Sequence, residues 1–262
     1  MLPEETDFSL PEAEAEPAVL ATGIEQQSAR HDPFWTYKDL VLIAGLLVAS
    51  IALILVIVGV LAYYNPKLQH DQTVLIFPTQ FALYGLIYLS FRIVFAARYG
   101  KPVLTSLGWT RTRFHLWMAA LGGVILAIAV GALAAALHTP KVDSPMEKLA
   151  ETPGSFVLLA VLATTFAPFF EEMVFRGFLQ PLLSRTFGVI AGVIITAVLF
   201  GALHAPEYEW AWQYAVAVAI AGVVFGWLRA RTNSIIPSTV MHGCYNAFFV
   251  LGLALEKHKL IP

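Results

Sequence analysis

The chain has 262 residues, of which 58% are hydrophobic and 13% are charged, and its formal net charge is −2. A soluble domain carries about 25% charged residues, so this composition excludes an ordinary soluble protein and indicates a polytopic membrane protein. The single cysteine excludes an internal disulfide framework and a zinc site built on cysteines. Because the Lys and Arg residues form no stripe with interleaved aromatics, we expect no nucleic-acid partner.

The N-terminal residues 1–36 are rich in Glu, Ala and Pro. They contain too few large apolar side chains to bury against a core, so we expect a disordered acidic tail. The tail concentrates negative charge, because residues 1–39 have a net charge of −7 and residues 40–262 a net charge of +5. The N-terminus also lacks a positively charged stretch followed by a short apolar core, so we expect no cleavable signal peptide.

Seven apolar runs follow the tail, and each is long enough to form a membrane helix of about 20 residues. We therefore predict an all-α transmembrane bundle of seven spans, a count that we expect to hold within one. The predicted spans cover approximately residues 40–64, 74–97 and 114–137, a fourth run that opens near residue 156, and residues 187–203, 211–228 and 235–255.

The basic residues between the spans predict the orientation of the chain. The segment from Arg98 to Arg113 has four basic residues and no acidic residue, which is typical of a cytoplasmic loop. This places the N-terminus in the cytoplasm and the C-terminus outside. We also expect a multi-pass protein of the cell inner membrane. Arg92, near the end of the second span, is expected to extend to the lipid headgroups as an interfacial anchor.

The fourth span contains charged residues, in the sequence FAPFFEEMVFRGFLQ over residues 166–180. Each of Glu171, Glu172 and Arg176 would cost roughly 2.5–3.5 kcal/mol at the centre of a membrane helix. Glu172 and Arg176 are four residues apart on one helical face, so we expect an internal ion pair. Glu171 points about 100° away and needs another partner.

Two later spans contain further polar groups, at His204, His242 and Asn246. At about 1.5 Å per residue, Glu171 and His204 lie roughly 21 and 24 Å from the turn that joins their helices, which is a matching height. His242 and Asn246 are four residues apart and share a face. We therefore predict that these side chains line one buried cavity together with Glu172.

Such a set of residues suits hydrolysis. A carboxylate and a histidine beside a water molecule are the equipment of general acid/base catalysis. A histidine and an asparagine one turn apart can donate to the oxygen of a tetrahedral intermediate, at about 2.7–4 kcal/mol per donor. Glu171, His204 and His242 are also ligand types that suit one Zn²⁺ ion, although no H-E-x-x-H helix occurs. The residues alone leave both chemistries open.

The motifs E-E-x-x-x-R from Glu171, F-x-x-x-H from Phe200 and H-x-x-x-N from His242 occur in this order within apolar spans. Together they resemble the three motifs of the CAAX prenyl protease and bacteriocin-processing (CPBP, or Abi) family of intramembrane proteases. The resemblance covers roughly residues 156–250, and the F-R-G that follows the glutamates also fits.

The resemblance implies that Glu171 and His204 activate a water molecule, that Glu172 and Arg176 assist or organise the site, and that His242 and Asn246 hold the oxyanion. It also implies a membrane-associated protein or peptide substrate, either prenylated and of CAAX type or bacteriocin-like, with membrane lipid as the other partner. The family is often labelled metalloprotease, and a metal-free glutamate mechanism has also been proposed for it. One Zn²⁺ ion is therefore a hypothesis and not a requirement.

On this interpretation, residues 37–152 form N-terminal transmembrane helices, residues 153–255 the catalytic core, and residues 256–262 a short C-terminal tail. Two other functions stay open. A transporter can use buried carboxylates to relay protons or ions, although here the polar groups cluster at one level. A non-catalytic immunity or scaffold protein would keep the fold and bind a peptide, with His242 and Asn246 forming interhelical hydrogen bonds.

Overall fold

A computed structural model describes residues 33–65, 68, 72–142 and 149–259 of the chain. All regular elements in these ranges are helical, and seven of the helices are long and apolar enough to cross a membrane. This confirms the predicted fold class and number of spans, and the chain is an integral, multi-pass membrane protein. The predicted disorder of residues 1–32 and the end of the C-terminal tail, residues 260–262, lie outside the described residues.

Each predicted span corresponds to one long helix. The helices are α1 (Tyr37–Tyr64), α2 (Gln72–Tyr99), the short α3 (Val103–Ser106), α4 (Leu116–Ala136), α5 (Pro153–Phe187), α6 (Val189–His204), α7 (Trp212–Thr232) and α8 (Ile235–Lys259). A single 3₁₀ turn, Ala205–Tyr208, follows α6. Helix α8 therefore continues into residues that the sequence assigned to the C-terminal tail.

Helix α5 begins three residues before the predicted start and contains two π-helical segments, Leu162–Phe166 and Met173–Leu179. Its first turn is capped by Thr152, whose hydroxyl accepts a hydrogen bond from the Ser155 backbone N–H at 3.2 Å. The helix ends at Gly188, where the backbone angle φ of +83° suits glycine. Helix α6 follows directly, so α5 and α6 form the predicted hairpin.

Small residues allow the helices around the site to approach closely. Helix α6 packs along α7, and α8 packs along α4. A Cβ atom on Gly201 of α6 would lie 2.3 Å from the carbonyl oxygen of Ala215 in α7, so only glycine fits there. This packing by small side chains is what membrane helices use in place of a hydrophobic driving force.

The segment before α1 is packed against the core. Trp35 is 3% exposed, stacks between Phe95 of α2 and Phe178 of α5, and donates its indole N–H to the Phe178 carbonyl at 3.1 Å. The sequence placed residues 33–36 in the disordered tail. The structure instead places Trp35 in the core, because its large aromatic ring supplies apolar area that the acidic residues before it lack.

Candidate active site

A buried ion pair lies at the centre of the site, on the inner face of α5. The Arg176 Nη1 atom donates to Glu172 Oε1 at 2.9 Å, and both side chains are fully buried. Arg176 also donates from Nη2 to the Gly222 carbonyl of α7 at 3.0 Å. The pair predicted from the i, i+4 spacing is therefore present, and it is tied to a second helix.

Aromatic rings and a second polar contact surround Arg176. The guanidinium carbon lies 4.4 Å from the centroid of Phe200 and 5.4 Å from that of Phe225, within the range of cation–π attraction. One turn further along α5, Gln180 donates to the Gly226 carbonyl of α7 at 2.9 Å. Gln180 and Phe225 also belong to this site, and the sequence motifs did not predict them. The spacing of Arg176 and Gln180 equals that of the two glycines, which is the signal that pairs them.

His242 of α8 lies between the two glutamates. Its Nδ1 atom is 3.2 Å from Glu172 Oε1, and its Nε2 atom is 3.6 Å from Glu171 Oε2. The ring stacks on Phe225 with centroids 4.6 Å apart. The side chain of Glu171 is 25% exposed, whereas that of Glu172 is fully buried. His242 is thus the partner that Glu171 was expected to need, and Glu171 is the more exposed of the two carboxylates.

His204 lies at the last residue of α6 and connects to this cluster through Phe200. Its Nδ1 atom is 2.8 Å from the Phe200 carbonyl oxygen, and its ring centroid is 4.5 Å from that of Phe200. The same Phe200 ring lies 5.8 Å from the His242 ring. The structure therefore brings Glu171, Glu172 and His242 into direct proximity and links His204 to them through an aromatic side chain.

Asn246 contacts the first π-helical segment of α5. Its Nδ2 atom donates to the Ala163 carbonyl at 2.8 Å. In this segment the Ala167 N–H bonds to the Leu162 carbonyl, five residues back. The same pattern would pair Ala163 with residue 168, which is a proline and has no N–H. Asn246 thus donates to a carbonyl that Pro168 leaves without a helical partner, and this contact is the interhelical hydrogen bond expected for a non-catalytic role. The role of Asn246 toward an oxyanion stays a prediction.

The three residues proposed for zinc do not form one metal site, although Glu171 and His242 lie 3.6 Å apart. Within the described ranges, no group of three or more His, Cys, Asp and Glu side chains is arranged to hold a metal ion. Both ring nitrogens of His242 face carboxylates, and His204 turns one nitrogen to a backbone carbonyl. Glu171, His204 and His242 therefore do not fit a shared zinc site in this arrangement.

A comparison with protein families identifies the part of the chain that holds this site. Residues 153–248 match the model of the type II CAAX prenyl endopeptidase Rce1-like family. This segment, which is less than half of the chain, is an Rce1-like match of the CAAX protease family. The Rce1-like domain starts at the first residue of α5, ends within α8, and contains all the candidate site residues. The comparisons with curated proteins and with solved structures gave no match.

This match supports a class of protein at the level of the family. The Rce1-like domain indicates a CAAX-type intramembrane protease, and therefore a peptidase. Helices α1 to α4 lie before the matched segment, and α4 supports the domain by packing against α8. The buried glutamate and histidine cluster described above is thus the candidate active site of a peptidase.

Proposed function

We propose that the chain is an intramembrane endopeptidase in which Glu171 activates a water molecule to hydrolyse a peptide bond of a membrane-associated substrate. The observation that supports this most is the difference between the two glutamates. Glu172 is fully buried and bound to Arg176, so we assign it a structural role as the partner of that cation. Glu171 is the partly exposed carboxylate of the same cluster, which suits a general base.

In the proposed reaction, Glu171 takes a proton from water while the water oxygen attacks the carbonyl carbon of the scissile bond. The tetrahedral intermediate then collapses with cleavage of the C–N bond. Glu171 returns the proton to the leaving amine, so the carboxylate is regenerated and one water molecule is consumed. Acid/base catalysis of this type contributes about 10²–10⁴-fold to a rate.

Glu172 and His242 orient this chemistry. An ionised carboxylate only accepts hydrogen bonds, so the contact to Glu172 Oε1 requires a proton on His242 Nδ1. In the neutral ring, Nε2 then faces Glu171 as an acceptor and can share the proton that Glu171 takes from water. A carboxylate that fixes the tautomer of a catalytic histidine serves the same purpose in other hydrolases.

His204 and Asn246 are proposed to bind the water and the oxyanion. The Phe200 carbonyl accepts from His204 Nδ1–H, which leaves Nε2 as an acceptor for the attacking water. Asn246 holds Ala163 with one amide N–H and has a second N–H for the oxyanion. Because both nitrogens of His242 face carboxylates, Asn246 is the oxyanion donor that we propose from the third motif.

A prenylated CAAX-type peptide is the first substrate to test, because the matching family model is that of CAAX prenyl endopeptidases. A bacteriocin-like peptide is the second. We also propose that the protein resides in the cell inner membrane, with the basic segment 98–113 in the cytoplasm. Because Glu171, His204 and His242 do not fit a shared zinc site in this arrangement, we propose the metal-free reaction, and chelation tests the alternative of one Zn²⁺ ion.

The test is cleavage of a peptide library in liposomes, with prenylated and unprenylated peptides and mass-spectrometric detection of products. We expect products from the wild-type protein and none from Glu171→Gln. Unchanged turnover after treatment with strong chelators, in protein without stoichiometric metal, would support the metal-free mechanism. If folded protein of both types cleaves nothing, the result favours a non-catalytic immunity or scaffold protein.

A further inference from the structure

A cavity of about 480 Å³ lies apart from the candidate active site. It is bounded by the end of α2, the turn after it, and α3. Its lining residues are Tyr88, Arg92, Ala96, Gly100, Lys101, Pro102, Val103, Leu104 and Thr105. The volume is within the range of about 300–1,000 Å³ that is common for small-molecule sites.

The length of α2 and the basic residues near its end indicate that the cavity lies where hydrocarbon gives way to headgroups. Helix α2 has 28 residues, which corresponds to about 42 Å, and a bilayer core is about 30 Å thick. The helix is therefore long enough to extend beyond the core. Arg92 lies about 10 Å before the helix end at Tyr99, and Lys101 lies just after it.

The charge of the cavity is positive. Arg92 and Lys101 are its charged lining residues, and no carboxylate lines it. In the described part of the chain, neither side chain takes part in an ion pair, whereas Arg98, on the same helix as Arg92, pairs with Asp39 at 2.7 Å. The two cations are therefore available to an anionic ligand.

The walls of the cavity combine these cations with apolar surface. Ala96, Val103 and Leu104 provide aliphatic contacts, and Tyr88 and Thr105 add hydroxyl groups. A free phosphate ion gains nothing from aliphatic walls, whereas the phosphate and glycerol region of a lipid presents both an anion and hydrocarbon. We propose that this cavity binds the phosphate headgroup of an anionic membrane lipid.

Such a lipid would also support the Rce1-like domain, because α3 is packed against it. Val103 and Leu107 belong to the same buried cluster as Met173 and Phe178 of α5. A Cβ atom on Gly177 would lie 2.8 Å from the Leu107 carbonyl oxygen, which shows how close the two segments are. A lipid that holds α3 to the end of α2 therefore stabilises the surface on which the second π-helical segment rests.

The test uses the full chain in phosphatidylcholine nanodiscs with increasing phosphatidylglycerol. Native mass spectrometry counts retained lipids, and thermal unfolding measures stabilisation. We expect one retained phosphatidylglycerol in wild-type protein and about 30-fold weaker binding in the Arg92→Gln/Lys101→Gln variant, since each basic group near an anionic surface contributes about fivefold. The matched control is Arg111→Gln/Arg113→Gln, which removes the same charge from exposed positions outside the cavity. It measures the general attraction of basic residues to an anionic surface, and it should keep the one retained lipid that Arg92→Gln/Lys101→Gln loses.

Equal lipid retention by the two double variants would overturn the proposal. Lys101→Gln alone, at an exposed position, provides a second test if the double variant does not fold, with about fivefold weaker binding expected. Glycerol 3-phosphate added to neutral nanodiscs distinguishes the source of the phosphate. If it stabilises the protein as much as phosphatidylglycerol does, the ligand is a soluble phosphate and the lipid proposal is wrong.

Discussion

Removal of Arg176 would leave the buried carboxylate of Glu172 without its cationic partner. Its side chain and that of Glu172 are fully buried and joined at 2.9 Å. In Arg176→Met, Glu172 stays buried with its main cationic partner gone. We expect a loss of about 3–5 kcal/mol in the free energy of unfolding, measured by chemical denaturation in detergent.

The double variant Glu172→Gln/Arg176→Met is the matched control, because it removes both charges from the same site. It should recover part of the stability that Arg176→Met loses, since replacing a buried pair costs less than breaking it. A double variant as unstable as Arg176→Met, or a single variant as stable as wild type, would contradict the assignment of the pair as a mutually dependent unit.

Asn246 has two proposed contacts, the Ala163 carbonyl and the oxyanion. Interhelical hydrogen bonds in membranes contribute about 0.6 kcal/mol on average, so Asn246→Ala should lower stability only modestly. Loss of an oxyanion donor should lower kcat by about 10²–10³-fold. Steady-state kinetics and thermal unfolding of the same preparation separate the two effects. A stability loss with unchanged kcat would show that Asn246 serves the helix contact alone.

At the scale of helices, α8 is held against α5 by a close backbone approach. A Cβ atom on Gly243 would lie 2.6 Å from the Thr164 carbonyl oxygen, whereas one on Gly252 of the same helix would meet nothing within 4 Å. We expect Gly243→Ala to lower stability by about 1–3 kcal/mol, as overpacking does, and to lower activity by moving His242. Thermal unfolding and turnover of Gly243→Ala and Gly252→Ala measure this, and equal values for the two variants would argue against it.

Much of this arrangement follows from residue spacing, and some of it does not. The i, i+4 spacing predicts the pair of Glu172 with Arg176, and the apolar runs predict every spanning helix. Hydrophobic periodicity contains no signal for the two π-helical segments of α5, because they arise from the way the backbone bonds inside a helix that is apolar on many faces. For the same reason, the contact of Asn246 with Ala163 is visible only once Pro168 is placed beside that carbonyl.

At the scale of the whole molecule, the predicted orientation places the segment before α4 in the cytoplasm. After replacement of the native Cys244 by Ser, Arg111→Cys should be protected from an impermeant thiol reagent in intact cells. Glu151→Cys, exposed just before α5, should react, because an odd number of spans separates the two positions. The reverse pattern of labelling would invert the topology, and reaction at both positions would contradict the number of spans.

The overall architecture was predictable because membrane helices are long and nearly free of charge, so the apolar runs of the sequence indicate their number and approximate limits. The contacts between side chains of different helices were less predictable. Matching heights indicated that Glu171 and His204 lie at one level, yet height leaves the rotation of each helix undefined, and the structure connects His204 to the cluster through Phe200. Burial of Trp35 was missed because one aromatic residue in an acidic, proline-rich segment has little weight in a composition average.

The most direct measurement is the turnover of one cleavable substrate by wild-type protein, Glu171→Gln and Glu151→Gln in the same liposomes, with thermal unfolding of each preparation. Glu151 is an exposed carboxylate just before α5 and serves as the matched control. We expect that Glu171→Gln stays folded and loses hydrolysis to the detection limit, while Glu151→Gln keeps wild-type turnover. Full turnover by folded Glu171→Gln would contradict the assignment of Glu171 as the catalytic base.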